Sequence, residues 1–436
     1  CFLVFALLFF SSAVVMPVLA LSESANFDCD PPSGPAPLTV QFTDQSIFDE
    51  THDWDFDDGS AHSTEQNPVH TFTEPGDYDV CLQINGGSYS HTEIITVTAP
   101  PITHPALWNV SHIAGVGNYT DVSLIPEIGE GDTIRIWGTD GHTYEGGFTI
   151  AVADVTVEEW DGSPVRPLMT NTSHTAPAIR ITADNVTLAG LNISGNTYAG
   201  AGAGVQARGE DGSHLQGLTI TGCVFAGNEA MTADDHEDCG GAVSIYYVDD
   251  SEITDTTFSG NTAGEHGGAM FISDSPSPVL TDVVFTHNEG AYRGGGIYIR
   301  NSAAPALIRT TFANNTAGTF GGGASYYEAN NAAVTDAVFV DNTANYGGGC
   351  YVERSGTPRI SGTSFTDNRA NDNGGGCYFI SSPSADIRDT TFTRNTGKVG
   401  GGAQFYNSAH AAITLSLIHI SEPTRPRLVS RMPSYS

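Results

Sequence analysis

The stretch FTHNEGAYRGGGIYIRNS, residues 285–302, decides the fold because its pattern returns along the second half of the chain. It joins a Phe, an Asn three residues later, and a glycine cluster that leads into a short apolar run. The same order occurs in FSGNTAGEHGGAMFI, FANNTAGTFGGGASYY, FVDNTANYGGGCYVE, FTDNRANDNGGGCYF and FTRNTGKVGGGAQFY. A sequence motif that recurs at a fixed spacing indicates a repeat architecture in which each copy is one structural unit.

The spacing of the repeats predicts a parallel β-helix. After a first step of 33 residues, the period is 26 or 27 residues. The repeated phenylalanines are Phe225, Phe258, Phe285, Phe312, Phe339, Phe365 and Phe392. The asparagines that follow them are Asn228, Asn261, Asn288, Asn315, Asn342, Asn368 and Asn395. Each repeat is expected to carry two short strand-like runs, and stacking the repeats at about 4.8 Å turns each series into an internal ladder.

The repeat resembles known families. The phrase Phe-x-x-Asn with Gly-Gly-Ala or Gly-Gly-Ile resembles the repeats of chlamydial-type polymorphic outer-membrane proteins. More broadly, residues 130–414 resemble the right-handed, pectin-lyase-like β-helices of bacterial and archaeal surfaces. The resemblance implies an all-β solenoid over residues 131–414, displayed outside the cell. Residues 99–130 are expected to form a linker or a cap.

The segment of residues 26–98 predicts a small β-sandwich. Its short runs alternate apolar and polar residues between turn residues, so Trp54 and Phe56 are expected to point inward. The runs WDFDDG and NPVHTFTEPGDYDV resemble a PKD domain, an immunoglobulin-like module that is a spacer or a binding unit. Cys29 and Cys81 are disulfide candidates here, and two separately buried thiols are the alternative.

The remaining cysteines fall in the repeats. Cys223 and Cys239 bracket an insertion and are candidates for a disulfide that clips it. Cys350 and Cys377 lie one coil apart in an inward column. At the expected strand spacing, their Cβ atoms are farther apart than the roughly 3.8 Å a disulfide prefers, so free core thiols are predicted.

Charge and termini indicate an exported protein. The formal net charge of −34 makes nucleic acid and anionic lipid unsuitable partners. Residues 1–20 read as a secretory signal peptide, and a membrane-spanning anchor is the alternative. Residues 415–436 turn abruptly basic and begin with LSLIHISEPTR, which resembles translated sequencing adapter, so this tail is predicted to be non-native. Membrane attachment is then expected only through a C-terminal anchor beyond the given sequence.

Two groups of residues are candidate sites. Phe271, Tyr298, Tyr351 and Tyr378 occupy an outward strand position and are expected to form an exposed row that stacks on sugar rings, although tyrosine also suits an ordinary strand surface. The insertion contains the acidic run Asp234, Asp235, Glu237 and Asp238. Its oxygen ligands favour Ca²⁺, and a solvated charged loop is the alternative; no other cofactor is indicated.

The sequence therefore predicts an exported cell-surface or envelope protein for adhesion, structure or glycan contact. Its partners would be envelope components or glycans. The alternative is a polysaccharide lyase or glycoside hydrolase of pectin-lyase-like fold. That alternative needs carboxylates and a basic residue converging in a groove, whereas the acidic residues of the aromatic face are spread over several coils without a catalytic motif.

Overall fold

The computed structural model describes residues 24–47, 51–231, 240–414 and 417–419, and every strand and helix given below belongs to these ranges. The chain divides into two compact units, Cys1–Thr103 and His104–Ser436. The predicted signal peptide, residues 1–20, lies outside the described residues. Within the described ranges, no helix has the length and apolar character needed to cross a membrane.

The first unit is a β-sandwich. Its three-stranded antiparallel sheet consists of Phe27–Asp30, Leu38–Asp44 and Val69–Phe72. Its four-stranded sheet consists of Ser33–Pro35, Tyr89–Thr98, Gly76–Ile84 and His52–Asp55, in that order. A 3₁₀ turn, Asn85–Gly87, joins the two longest strands. Trp54 and Phe56 are buried between the sheets, as the alternating pattern predicted.

The predicted disulfide between Cys29 and Cys81 is wrong, since both residues are free thiols. Cys81 lies between Val80 and Leu82, which are fully buried, so its side chain points to the outer face of its sheet. The Cys29 thiol lies on the inner side, on the same face as buried Phe27, and donates a hydrogen bond to Glu93 at 3.4 Å. Burial and this carboxylate raise the pKa of the Cys29 thiol to about 11.

The second unit is a parallel β-solenoid whose coils run through sheets A, B and C, with a fourth sheet, D, in the middle coils only. Sheet A consists of Phe148–Ile150, Ile179–Ile181, Val205–Arg208, Val243–Tyr246, Met270–Ser273, Ile297–Arg300, Ala324–Tyr327, Cys350–Glu353, Cys377–Ile380 and Ala403–Tyr406. Sheet B consists of Leu107–Val110, Thr133–Ile136, Thr156–Glu159, Thr187–Ala189, Thr219–Thr221, Glu252–Thr254, Val279–Thr281, Ala306–Ile308, Ala333–Thr335, Arg359–Ser361, Asp386–Arg388 and Ala412–Thr414.

Sheets C and D complete the coils that contain them. Sheet C consists of Thr143–Glu145, Leu168–Thr170, Asn192–Ile193, Val224–Ala226, Thr257–Ser259, Val284–Thr286, Thr311–Ala313, Val338–Val340, Ser364–Thr366, Thr391–Thr393 and Leu417–His419. Sheet D consists of Thr197–Tyr198, Glu229–Ala230, Thr262–Ala263, Glu289–Gly290, Thr316–Ala317, Thr343–Tyr346 and Arg369–Asn373. Leu215–Gln216 and Val248–Asp249 form a small pair, and Val122–Leu124 is a 3₁₀ turn.

The predicted phenylalanine ladder is confirmed. Phe285 pairs in register with Phe258 and Phe312, and all three side chains are fully buried. Neighbouring rings stack nearly parallel, with centroids 4.9 Å apart on each side of Phe285. From Phe225 to Phe392, the interior therefore contains a column of aromatic rungs, one per coil, and each rung contacts mainly the coils next to it.

The predicted asparagine ladder is also confirmed, and it lies at the bend between sheets C and D. Asn288 is buried, and its Nδ2 donates to Asn315 Oδ1 in the next coil and to the Phe258 carbonyl of the preceding coil. The backbone N–H of Asn288 donates to the same Asn315 oxygen. Each amide thus satisfies buried backbone groups that the bend leaves without a sheet partner.

Each repeat contains more strands than the two that the sequence predicted. The apolar residue five places before each Phe belongs to a strand of its own. Leu280 lies in sheet B and Phe285 in sheet C, and Asp282 turns the chain between them with φ +55°. The glycine corner behaves as predicted. A Cβ on Gly295 would lie 2.3 Å from the Gly322 carbonyl oxygen, so only glycine allows the coils to approach.

The first coil begins inside the segment predicted as a linker or cap. Leu107–Val110 pairs in parallel with Thr133–Ile136 of sheet B. Fully buried Asp132 stabilises the beginning of the first coil. Its carboxylate accepts hydrogen bonds from His104 Nδ1, the Ala106 N–H, Trp108 Nε1 and the Gly129 N–H. At the other end, Leu417–His419 pairs with Thr391–Thr393. That residues 415–436 are non-native stays a prediction.

Candidate functional site: the outer face of sheet A

The outer face of sheet A carries the predicted aromatic row, but the row is not exposed. Phe271, Tyr298, Tyr351 and Tyr378 do alternate with core residues, as the sequence indicated. Their exposed fractions are nevertheless only 3%, 4%, 2% and 6%. The prediction of an exposed stacking platform on these four side chains is therefore wrong.

A second ladder covers this row. The residue just before each glycine corner forms isolated parallel bridges with its equivalent in the next coil, which aligns His266, Arg293, Phe320 and Tyr346. We call these four residues the corner column. The Phe320 ring lies 4.6 Å from that of Tyr351, and the His266 ring lies 4.9 Å from that of Tyr298. The corner column thus lies over the outward aromatic row and shields it from solvent.

Arg293 is the centre of this cover. Its guanidinium carbon lies 4.5 to 5.7 Å from the ring centroids of Phe320, Tyr327, Tyr292, Tyr298 and Tyr351. Nη2 donates to Glu353 Oε2 at 3.0 Å, and the two side chains are 12% and 18% exposed. A cation held against several ring faces and paired with a carboxylate is a structural pin, and its Nη1 is buried without a hydrogen-bond partner.

The corner column could have been found from the sequence. A large or polar residue precedes the first glycine in five consecutive repeats: His266, Arg293, Phe320, Tyr346 and Asn373. This series has the same 26- or 27-residue period as the phenylalanines, so it too forms a column.

A small recess, with a volume of about 10 Å³, lies on the same face toward the start of the chain. Its floor is formed by outward residues of three adjacent strands, Gln206, Ser244 and Phe271, and its rim by Arg208, Tyr246 and Arg300. The Arg208 guanidinium lies over the Tyr246 ring at 4.9 Å, and that of Arg300 lies 5.8 Å from the Phe271 ring. Two cations and a half-buried aromatic ring therefore border one shallow depression.

Comparison with known families agrees with this geometry. The profile described as "Right handed beta helix region" matches residues 177–365 and 296–420, which together exceed half of the chain. The chain belongs to this right-handed β-helix family. The profile described as "PKD domain" matches residues 25–99, so the sandwich is a PKD domain. A search of curated proteins finds no match.

Several solved structures are similar to this β-helix protein. A GH136 lacto-N-biosidase from Eubacterium ramulus is 11% identical, with 72% of this chain and 68% of that chain covered and a TM-score of 0.43. A periplasmic alginate epimerase is 12% identical, with 66% and 72% covered and a TM-score of 0.34. A solution structure from Methanosarcina mazei is 30% identical over 23% of this chain and 74% of that chain, with a TM-score of 0.15. The resemblance to polymorphic outer-membrane proteins stays a prediction.

The carboxylates of the β-helix near sheet A have separate partners. Asp249 accepts from His214 Nδ1 at 2.6 Å, Glu328 lies 3.6 Å from Arg354, and Glu353 holds Arg293. In the ranges that the structure describes, no group of three or more His, Cys, Asp and Glu side chains is arranged to hold a metal ion.

The candidate calcium ligands Asp234, Asp235, Glu237 and Asp238 lie outside the described residues, as does Cys239. The Cys223 thiol is free and buried, donates to the Thr221 carbonyl at 3.4 Å, and has a pKa that burial raises to about 11. The predicted disulfide between Cys223 and Cys239 is therefore wrong, because Cys223 is a free thiol. Cys350 and Cys377 are free, buried and adjacent in register, as predicted.

Proposed function

We propose that this protein is an exported rod of the cell surface or envelope that contacts glycans through the recess on sheet A. The observation that carries the proposal is the arrangement of Tyr246 between Arg208 and Arg300 on a rigid sheet. An aromatic ring presents an apolar face to a sugar ring, and the Arg300 guanidinium donates to its oxygens. The PKD domain would serve as a spacer or a further binding unit.

The stacked ladders support a role that depends on rigidity. Buried phenylalanine and asparagine series run from Phe225 and Asn228 through most of the repeats, so the recess is held on strands rather than on a loop. A site on such a scaffold needs little reorganisation on binding, which favours affinity.

The binding test uses the full chain on a panel of immobilised polysaccharides. Tyr246→Ser should weaken binding about ten-fold, because the stacking surface and the support for Arg208 are lost. Tyr406→Ser is the matched control: Tyr406 occupies the same strand position of sheet A near the other end and is 60% exposed. Equal binding by both variants, or no binding by the wild type, would contradict the proposed function.

Export and catalysis need their own measurements. N-terminal sequencing of the secreted protein should begin at Leu21 if residues 1–20 are removed. Incubation with each polysaccharide that binds, followed by detection of new reducing ends or unsaturated products, tests the alternative that this is a lyase or hydrolase. Turnover of any polysaccharide would favour that alternative over a rod that only contacts glycans.

A further inference from the structure

A groove lies on the outer face of sheet C, near the start of the solenoid. Its volume is about 350 Å³, which is within the range of small-molecule sites. The floor is formed by Leu168, Asn192 and Val224, which are successive register partners on three adjacent strands. Each of them precedes a fully buried residue of its strand, so its side chain points outward.

The wall of the groove is formed by two long connections between sheets B and C. Residues 137–142 and 160–167 make these connections in two early coils. In the next two coils, the connections consist only of residues 190–191 and 222–223. The long connections therefore stand beside a strand floor that the short connections leave open.

The two long connections are held in place by direct contacts. The Gly138 N–H donates to Ser163 Oγ at 3.1 Å. A Cβ on Gly138 would lie 1.9 Å from the Val165 carbonyl oxygen, so the two segments are in close contact. The His142 ring stacks on that of His112, with centroids 3.7 Å apart. The wall therefore needs little reorganisation when a ligand binds.

Arg166 is an exposed cation at this groove. Among the residues that the structure describes, it makes no hydrogen bond or ion pair. Burial raises the pKa of the nearby Glu159 carboxyl and the charge of Arg166 opposes that shift, but the two groups form no ion pair. Burial and the neighbouring His112 lower the pKa of His142, which favours a neutral ring at pH 7. Arg166 is therefore the one full positive charge among the described residues that line the groove.

Asn192 supplies a second donor at the floor. Ser194 Oγ accepts from the Ala226 N–H at 3.0 Å and donates to Asn192 Oδ1. This contact sets the amide orientation and leaves Nδ2 without a hydrogen-bond partner in the described ranges. Leu168 and Val224 add aliphatic surface, and none of the described lining residues is Trp, Tyr or Phe. The floor therefore suits an aliphatic group better than the face of a sugar ring.

We propose that this groove binds a monocarboxylate with a short aliphatic body. The carboxylate pairs with Arg166 and accepts from Asn192 Nδ2, and the aliphatic group packs on Leu168 and Val224. One negative charge matches one cation, whereas a polyanion would meet the exposed Asp140 carboxylate and the net charge of −34. A free aliphatic amino acid and the C-terminal residue of a peptide both present this chemistry. The inference goes beyond the proposed function, because it concerns another sheet and another class of ligand.

The binding test titrates the full chain with N-acetyl-leucine and two analogues by isothermal titration calorimetry. N-acetyl-leucinamide lacks the carboxylate, and N-acetylglycine lacks the aliphatic group. Wild type should bind N-acetyl-leucine about five-fold more tightly than either analogue, because an exposed ion pair and a few buried methyl groups each contribute modestly. Free leucine and the peptide Ala-Ala-Leu are titrated in parallel, and the tighter of the two identifies the source of the carboxylate.

Two variants place the ligand in the groove. Arg166→Gln should abolish the preference for N-acetyl-leucine over its amide, because the ion partner is lost. The matched control is Arg359→Gln, which removes an exposed arginine from the outer face of sheet B and should keep the preference. In wild type, methyl NMR should show shifts of the Leu168 and Val224 signals when N-acetyl-leucine is added.

Each other result would overturn a stated part of this inference. Equal wild-type affinity for the acid and the amide would exclude recognition of the carboxylate, and equal affinity for N-acetylglycine would exclude the aliphatic contact. A preference that persists in Arg166→Gln, with thermal unfolding unchanged, would exclude this groove as the site. Absence of binding by every probe at about 10 mM would overturn the inference as a whole. These results leave the proposed glycan contact on sheet A unaffected.

Discussion

Asn315→Asp is the most informative single change to the solenoid, because it replaces one heavy atom, Nδ2 by an oxygen, in the middle of the asparagine ladder. Asn315 is fully buried. Its Oδ1 accepts from the Asn288 N–H at 3.0 Å and from Asn288 Nδ2 at 2.9 Å. Its Nδ2 donates to the Phe285 carbonyl at 2.9 Å and to Asn342 Oδ1 at 3.0 Å. The side chain therefore makes four hydrogen bonds that join three coils.

The substitution keeps the acceptor side and reverses the donor side. A carboxylate oxygen in place of Nδ2 faces two other acceptors, the Phe285 carbonyl and Asn342 Oδ1. Leaving two buried acceptors unsatisfied costs about 1–3 kcal/mol each, before the cost of the buried charge. We expect the free energy of unfolding to fall by about 4 kcal/mol at pH 7.

The loss should depend on pH with a definite sign. Burial and the two facing acceptors raise the pKa of the new carboxyl in the folded state above its unfolded value of about 3.9. A protonated carboxyl donates one of the two lost hydrogen bonds. The deficit relative to wild type is therefore smallest below pH 4, grows as the pH rises toward the folded pKa, and is constant above it.

Urea unfolding at several pH values measures this deficit, and hydrogen exchange locates it. Because coils contact mainly their neighbours, faster exchange should concentrate in residues 285–345. Asn314→Asp is the matched control. Asn314 is exposed at a corner with φ +56°, and the equivalent positions of the next two coils are Asp341 and Asp367. Equal stability of the two variants at pH 7, or a deficit that shrinks as pH rises, would refute the reasoning.

Three further changes test other parts of the fold. Phe312→Ala should cost about 3–5 kcal/mol by opening a cavity between two stacked rings, with hydrogen exchange loosened locally; uniform loosening would argue against independent coils. Arg293→Leu should lower the free energy of unfolding in urea by about 2–4 kcal/mol, because Glu353 loses its ion partner. Adding Glu353→Leu should recover part of that stability, and purely additive losses from the two substitutions would contradict the pairing. Burial by itself would raise the pKa of the Asp132 carboxyl, but four hydrogen bonds to the carboxylate outweigh this effect. The pKa of Asp132 is therefore lowered. Its stabilisation of the first coil is present above about pH 3.9 and is lost as pH falls through the lower folded pKa. Asp132→Asn should remove that acid dependence from hydrogen exchange in residues 104–136, and an unchanged pH profile would contradict this origin.

The sequence by itself determined the solenoid and the composition of its interior. One repeated Phe and one repeated Asn at a constant period must recur at the same place in every coil, so register follows from counting residues. The alternating pattern likewise placed Trp54 inside the sandwich. The same pattern also placed Cys81 between two core residues, and following it would have excluded the bridge to Cys29.

The number of strands in each repeat could have been predicted from the sequence, but it was underestimated. Runs of three residues are too short to show alternation, and the bends between them are made by single residues with positive φ. Aspartate, asparagine and glycine fill most of these bends, as at Asp282, and they tolerate the left-handed conformation without interrupting an obvious apolar run.

Only the tertiary structure decided which outward residues meet solvent. Alternation along a strand separates the core side from the outer side, but it does not report what lies over the outer side. Tyr298 and Tyr351 are covered by Arg293 and Phe320, which precede the glycine corners of their own and neighbouring coils. Tyr246, Arg208 and Arg300 border a small recess because of contacts between strands far apart in sequence. Burial is a property of the packed coils, and each coil acquires it only from its neighbours.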